Sequence, residues 1–208
     1  MTFADAMSEC GLIAILRGIT TVEVEAVGYA LVEAGIRVAE IPLNSPDPFA
    51  SIEKMAKVFK GKLVVGAGTV LSVPDVNLLK VHDGQISVSP DCNAAVIARA
   101  RELGLEPVPG VFTPSEAFAA IRAGASHLKL FPAEAANPAT VKAWRAVLPK
   151  HVKVYAVGGI TPANMQGWID AGVAGFGIGS NIYKQGASAD AVSKSAKEFI
   201  TAWRALKS

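Results

Sequence analysis

Short hydrophobic runs recur along the chain about every 20 to 26 residues, and polar or alanine-rich segments separate them. Each run has the length and the β-branched content of a strand that is buried on both faces. The eight runs are LIAIL (12–16), IRVAEIPL (36–43), KLVVGAG (62–68), QISVS (85–89), EPVPGV (106–111), HLKLF (127–131), VKVYAVGG (152–159) and AGFGIGS (174–180). The pattern therefore predicts eight interior strands.

The segments between the runs carry the residues that begin and end helices. Serine or threonine followed by proline is typical of a helix start, and alanine-glycine is typical of a helix end. The predicted starts are Ser45-Pro46, Thr113-Pro114 and Thr161-Pro162, and the predicted ends are Ala34-Gly35, Ala123-Gly124 and Ala171-Gly172. A helix is therefore expected between successive strands.

Strict alternation of strand and helix requires a parallel sheet, because parallel neighbours need a crossover connection. Two architectures meet this requirement: an open doubly wound sheet and a closed (β/α)8 TIM barrel. Eight units without a linker favour the barrel, as a single domain over residues 1–208. Residues 2–10 would form a short N-terminal helix that closes its bottom, and residues 187–206 the last outer helix.

Composition and charge indicate a small-molecule partner. Hydrophobic residues make up 51% of the chain and the net charge is only +2, so a large core is available and a strongly basic surface is not expected. Four cations near the C-terminus have the spacing of a solvated helix face, without an aromatic or arginine cluster. They are Lys194, Lys197, Arg204 and Lys207. Nucleic acid is not an expected partner.

Cysteine usage and hydropathy predict a cytoplasmic protein. Cys10 and Cys92 lie in unlike surroundings without neighbouring metal-binding residues, so neither a disulfide framework nor a metal site is expected. The first ten residues contain acids and lack the apolar segment of a signal peptide. No stretch reaches the ~18 apolar residues needed to cross a bilayer, so no membrane partner is expected.

In a (β/α)8 barrel, functional groups lie at the C-terminal ends of the strands and in the loops that follow. This rule selects a short set of candidates: Arg17, Glu40, Thr69, Lys129, Gly158, Gly159, Gly179 and Ser180. The set combines an amine, an acid, two glycine-rich loops and a planar cation, which is a coherent group for chemistry on an anionic small molecule.

Lys129 lies inside the apolar run HLKLF and shares a strand face with His127 and Phe131. If that face is turned into the barrel, burial disfavours the ammonium form and lowers the pKa of the amine. A neutral amine is a nucleophile for a ketone or an aldehyde. The alternative is a lysine whose side chain extends from the strand end to solvent.

Glu40 ends the second run among apolar neighbours. A buried carboxyl group has a raised pKa and can exchange protons near neutral pH, as general acid/base catalysis requires. The alternative is a structural ion pair with Arg17 or Lys129, and the two interpretations are compatible.

Two anion-binding points are predicted. Gly158-Gly159 and Gly179-Ser180 follow the seventh and eighth runs, where backbone N–H groups often bind a phosphate, although tight turns alone would also need glycine. Arg17 can present a planar pair of donors to a carboxylate, and Thr69 can add a hydroxyl. Together they predict a second anion point away from the phosphate.

Other motifs carry less weight. Gly66 and Gly68 match the start of a dinucleotide fingerprint, but Leu71 occupies the third glycine position, so no nicotinamide cofactor is expected. The histidines are too dispersed for a metal triad, and His127 is expected to be a packed strand residue.

Seven motifs in this order resemble the 2-keto-3-deoxy-6-phosphogluconate/2-keto-3-deoxy-6-phosphogalactonate aldolase family along nearly the whole chain. They are AILRG (14–18), AEIPL (39–43), GAGTV (66–70), SP (89–90), KLFPAE (129–134), VGGI (157–160) and GIGS (177–180). The resemblance implies a (β/α)8 Schiff-base aldolase without a metal or other cofactor, commonly assembled as a homotrimer. Its substrate would be a phosphorylated keto-deoxy sugar acid.

The resemblance also implies a role for each candidate. Lys129 would be the Schiff-base lysine and Glu40 the general acid/base. Arg17 and Thr69 would bind the carboxylate end, and the phosphate would be bound by Gly158, Gly159, Gly179 and Ser180. In the phosphogluconate branch an arginine-threonine pair follows the glutamate, and a threonine precedes the paired glycines. Here Leu43-Asn44-Ser45-Pro46 and Val157 stand instead, which is more similar to the phosphogalactonate branch, with Val157 facing the substrate near C4.

Two further functions share the fold and the phosphate loops. A sugar-phosphate isomerase or epimerase would not require a nucleophilic lysine on a strand, and a non-catalytic sensor would bind the ligand without turnover. The fold alone does not separate these functions.

Overall fold

The computed structural model describes residues 1–207, and the predicted domain end at Ser208 lies outside them. The strands are β1 (Leu12–Ile15), β2 (Val38–Pro42), β3 (Val64–Gly68), β4 (Ile86–Val88), β5 (Glu106–Val108), β6 (Gly110–Val111), β7 (His127–Leu130), β8 (Lys153–Val157) and β9 (Gly175–Ile178). The helices are α1 (Phe3–Glu9), α2 (Val24–Ala34), α3 (Pro48–Val58), α4 (Val73–Val81), α5 (Ala94–Glu102), α6 (Pro114–Arg122), α7 (Pro138–Arg145), α8 (Met165–Asp170) and α9 (Ala189–Ala205). A short 3₁₀ helix, Ala133–Ala135, follows β7.

The strands form one parallel sheet in the order β5-β4-β3-β2-β1-β9-β8-β7-β6. The predicted fifth strand is divided at Pro109 into β5 and β6, so the eight runs give nine strands. β5 pairs with β4 and β6 pairs with β7, and the backbone N–H of Lys129 donates to the Pro109 carbonyl at 2.8 Å. One run therefore joins both ends of the sheet, and the predicted (β/α)8 barrel is confirmed.

Local sequence explains most helix boundaries. Thr113 caps α6 by a capping box with Glu116, and Pro114 occupies the first turn, where its missing N–H costs nothing. The predicted start at Thr161-Pro162 is wrong, because the Thr161 N–H donates to Asn164 Oδ1 in a turn and α8 begins only at Met165. At Ser45-Pro46 the chain also turns first, and α3 begins at Pro48.

The short helix α1 closes the N-terminal end of the barrel, as predicted. Its Phe3 ring packs edge-on against the rings of His127 and Tyr155, with centroids 4.9 and 6.1 Å away. His127 is a packed strand residue, and its Nδ1 lies 2.8 Å from the Tyr155 hydroxyl. Inward-facing side chains of six strands complete this layer: Ile13, Val38, Val64, Ile86, Val88, Val108 and Tyr155.

Side chains of β7 alternate between the barrel interior and the helices. Leu128 and Leu130 belong to the outer core between the sheet and the helices, whereas Lys129 lies on the interior face. The lysine is therefore held above the apolar layer that α1 closes, toward the C-terminal end of the barrel.

Candidate active site

The Lys129 side chain is buried, with 7% of its surface exposed. Its Nζ lies 4.5 Å from the centre of the Phe131 ring. Burial lowers the pKa of this amine; the nearby Glu40 carboxylate acts in the opposite direction, and the charge of Arg17 lowers the pKa further. The alternative, a lysine extended to solvent, is wrong.

Glu40 lies on the interior of β2 and is 2% exposed. Burial raises the pKa of its carboxyl group to about 7, although the charges of Lys129 and Arg17 act to lower it. Its Oε2 atom has no hydrogen-bond partner. Within residues 1–207, Glu40 is thus coupled to both cations through space rather than by a hydrogen-bonded ion pair, and an oxygen stays available for another partner.

Gly68 makes room for the Glu40 carboxylate. A Cβ atom at residue 68 would overlap Glu40 Oε2, so no other residue fits beside the acid in its present position. The first motif of the sequence resembling a dinucleotide fingerprint therefore has a packing explanation.

The substitution Gly68→Ala is expected to lower kcat about 10- to 100-fold, because it displaces Glu40 by an ångström or more from its reacting position. Steady-state kinetics measure the change. Gly167→Ala is the matched control, since a Cβ at helix position 167 meets its nearest neighbour, Pro138, at an ordinary 3.8 Å. Normal kcat in the Gly68→Ala variant would show that the location of Glu40 is not critical.

A cavity of about 570 Å³ opens at the C-terminal end of the barrel above these two residues. Its wall includes Ile15, Val157 and Gly177, and these three also border the interior space that holds Lys129 and Glu40. A molecule in the cavity therefore lies directly over the buried amine and the buried acid.

The two predicted glycine loops form one wall of the cavity. Gly158 and Gly159 have φ angles of +112° and +66°, which other residues rarely adopt. The Asn164 side-chain amide donates to the Gly159 carbonyl at 2.9 Å, and the Asn181 amide donates to the Ile160 carbonyl at 2.8 Å. Both carbonyls are thus engaged by side chains, and the Asn181 bond ties the loop after β9 to the loop after β8.

The remaining predicted residues are divided in position. Arg17, Val157, Gly179 and Ser180 line the cavity together with the paired glycines. Thr69 follows β3 in a left-handed conformation, with φ of +58°, and is not among the residues that line this cavity. The structure therefore brings Arg17 to the cavity without Thr69.

Three polar side chains of the cavity were missed by the sequence analysis: Glu134, Lys184 and Gln185. Glu134 lies against the paired glycines, because a Cβ on Gly158 would overlap its Oε2. Its place in KLFPAE, just after the lysine strand, was a usable signal. Lys184 lies four residues beyond Ser180 in a turn where the Tyr183 N–H donates to the Gly179 carbonyl, and only the folded turn directs it to the cavity.

Two other searches concern metals and membranes. Among residues 1–207, no three histidine, cysteine, aspartate or glutamate side chains are grouped as a metal ion requires. In the same part of the chain, none of the helices has both the length and the hydrophobicity needed to cross a bilayer.

A buried amine and a buried carboxyl group under a cavity at the C-terminal end of the strands define an enzyme of the (β/α)8 barrel class, with the groups that carbonyl chemistry needs. The family described as Aldolase: KDPG and KHG aldolase matches residues 4–197. The chain therefore belongs to the KDPG and KHG aldolase family.

Individual relatives agree with this assignment. The chain is 46% identical to the probable 2-dehydro-3-deoxy-6-phosphogalactonate aldolase of Rhizobium meliloti (strain 1021), over 94% of this chain and 92% of the relative. It is 45% identical to the 2-dehydro-3-deoxy-6-phosphogalactonate aldolase of Escherichia coli (strain K12), over 93% and 94% respectively. A solved structure described as native KDPGal has a TM-score of 0.92 and 44% identity, over 94% of this chain and 95% of that chain.

Proposed function

We propose that this protein is a Schiff-base aldolase that cleaves 2-dehydro-3-deoxy-6-phospho-D-galactonate to pyruvate and D-glyceraldehyde 3-phosphate. The observation that carries the proposal is the buried Lys129 amine beside Glu40 under the cavity. The names of the two relatives support the choice of substrate. A single catalytic domain over residues 1–208 is part of the proposal.

In the proposed first step, the neutral Lys129 amine attacks the C2 ketone of the substrate to form a carbinolamine. Loss of water then gives an iminium ion, whose positive nitrogen withdraws electrons from C3. The protonated imine supplies the electrophilic assistance that a divalent ion gives in metal-dependent aldolases, so the proposed reaction needs no metal or other cofactor.

In the second step, Glu40 removes the proton of the C4 hydroxyl, directly or through a water molecule. The C3–C4 bond breaks, its electron pair forms the enamine, and C4 leaves as the aldehyde carbon of D-glyceraldehyde 3-phosphate. Protonation of the enamine at C3 and hydrolysis of the imine release pyruvate and regenerate the free amine. Glu40 acts as a base and then returns a proton, for which a pKa of about 7 is suited.

The two ends of the substrate have separate proposed contacts. Arg17 binds the C1 carboxylate, and Thr69 contributes there only if the loop after β3 moves toward the cavity. The phosphate binds to the backbone N–H groups of the two glycine loops, including Ser180, with Lys184 as a nearby cation. Val157 lies between the reacting groups and the glycine loops, which is consistent with a contact near C4.

The rate of cleavage should depend on pH through Glu40. The group must be ionised to remove the C4 hydroxyl proton, and its pKa is about 7. We expect kcat/KM to fall about tenfold for each pH unit below this value and to level off above it. A pH series with the pyruvate assay measures this limb. A constant kcat/KM between pH 5 and 7 would exclude Glu40 as the base.

The substrate is tested by a coupled assay of pyruvate release with the two C4-epimeric phosphorylated keto-deoxy acids. We expect a higher kcat/KM for the galactonate epimer, because Val157 stands where the phosphogluconate branch has threonine. Higher efficiency with the gluconate epimer would support the alternative, 2-dehydro-3-deoxy-6-phosphogluconate aldolase. Equal efficiency would show that Val157 does not set the preference.

We also propose a homotrimer in the cytoplasm. The family resemblance supports the trimer, and several large apolar side chains are exposed on the single chain, including Leu71 and Phe112 at 51% and 39%. Both follow strands at the end of the barrel that carries the cavity. A sedimentation mass of one chain would reject the trimer.

A further inference from the structure

Two hydrogen bonds join the loop after β1 to the loop after β2 at the rim of the cavity. Arg17 Nη1 donates to Asn44 Oδ1 at 2.6 Å, and the backbone N–H of Gly18 donates to Ser45 Oγ at 3.0 Å. Ser45 is buried, whereas Arg17 and Asn44 are exposed. The buried bond fixes the backbone of the first loop, and the exposed bond fixes the guanidinium that this loop carries.

We propose that Asn44 is a positioning residue that holds the Arg17 guanidinium for a substrate carboxylate and, being neutral, leaves its charge available. This inference rests on the proposed function, in which Arg17 binds the C1 carboxylate.

A fixed guanidinium binds more tightly than a free one, because arginine otherwise loses rotamer freedom when it captures its ligand. The amide oxygen of Asn44 occupies one donor of the planar group, and four of its five N–H donors are left for other partners. An aspartate of the same shape would instead form an ion pair with Arg17 and compete with the substrate carboxylate.

The charge of Arg17 also reaches the buried pair. It acts to lower the pKa of both Lys129 and Glu40. Neutralising Arg17 through a carboxylate at position 44 therefore favours the ammonium form of Lys129. The neutral side chain of Asn44 serves two ends: a free guanidinium for the substrate and a less basic amine beneath it.

The test compares Asn44→Ala with Asn44→Asp. We expect Asn44→Ala to raise KM for the keto acid about 5- to 10-fold with kcat within twofold, and Asn44→Asp to raise KM by more than Asn44→Ala. A purely structural role predicts the reverse order, because aspartate has the shape of asparagine and accepts the same hydrogen bond. Inhibition by inorganic phosphate should be unchanged in both variants, because phosphate binds at the other end of the cavity.

Asn77 provides the matched control. Its Oδ1 accepts a hydrogen bond from Arg99 Nε at 2.8 Å, in the same type of pair but between α4 and α5 and away from the cavity. Asn77→Ala and Asn77→Asp should leave KM unchanged. An Asn44→Asp variant with KM nearer to that of the unmodified protein than Asn44→Ala would overturn the inference.

A second readout separates this inference from the proposed function. Borohydride trapping with pyruvate gives a half-saturating pyruvate concentration that does not depend on cleavage of a sugar acid. We expect this concentration to increase in the order unmodified protein, Asn44→Ala, Asn44→Asp. A protein that cleaves neither epimer yet shows this order would reject the proposed substrate and support the role of Asn44. Equal half-saturation in the three proteins would reject that role even if cleavage is observed.

Discussion

Replacement of Lys129 with alanine is expected to lower kcat for aldol cleavage by a factor on the order of 10⁴ or more, while the protein remains folded. The amine supplies the bond to C2 in every step of the proposed reaction, so its removal eliminates the route rather than slowing one stage. The pyruvate-release assay, with enzyme in large excess over any contaminating aldolase, measures the loss.

Two controls accompany this variant. Lys129→Arg retains a cation near Glu40 but not a nucleophilic amine, and it should be as inactive as Lys129→Ala. The thermal unfolding of Lys129→Ala should be no less cooperative, because burial of an amine is unfavourable and alanine removes that cost. A folded Lys129→Ala protein with near-normal turnover would exclude this lysine as the nucleophile.

The second large effect is expected for Glu40→Gln, which should lower kcat about 10²- to 10⁴-fold, the usual range for loss of a general acid/base. Glutamine has nearly the same size, so the space that Gly68 provides still accommodates it. Trapping with pyruvate should persist, since Lys129 still attacks the ketone. A Glu40→Gln variant that loses trapping and cleavage equally would place the function of Glu40 in Lys129 activation.

The same substitution should stabilise the fold. The pKa of Glu40 is about 7 in the folded protein and ordinarily 4.5, which corresponds to a cost of roughly 3 kcal/mol when the group is ionised. Between these two values the folded state binds more protons than the unfolded state, so the stability contribution of Glu40 decreases as pH rises and is least favourable above about 7. Chemical unfolding at pH 8 should therefore show a higher free energy of unfolding for Glu40→Gln, with little difference at pH 4.

The barrel and the chemistry at its strand ends could be predicted from sequence because strand burial is recorded in short-range patterns. The alternation in HLKLF placed Lys129 and Leu128 on opposite faces, and the structure confirms this. Glycines after the seventh and eighth runs likewise predicted a loop wall that the structure shows. In each case the signal lies within a few consecutive residues.

The features that could not be predicted depend on residues far apart in the chain. Asn44 meets Arg17 across 27 positions, and Asn181 meets Ile160 across 21 positions. Nothing in the local sequence around any of these residues specifies such a partner. The division of the fifth strand at Pro109 is a related case, because its cause is the need of one run to pair with β4 on one side and β7 on the other.

Reductive trapping is the most direct measurement of the central claim, that a buried neutral amine forms a covalent bond with a keto acid. The protein is incubated with pyruvate and borohydride, digested, and analysed by mass spectrometry. The account predicts a reduced pyruvate adduct on the peptide that contains Lys129, with Lys153 on the neighbouring strand unlabelled and no adduct in Lys129→Ala. Labelling of another lysine, or an unlabelled protein that still cleaves the sugar acid, would contradict the account.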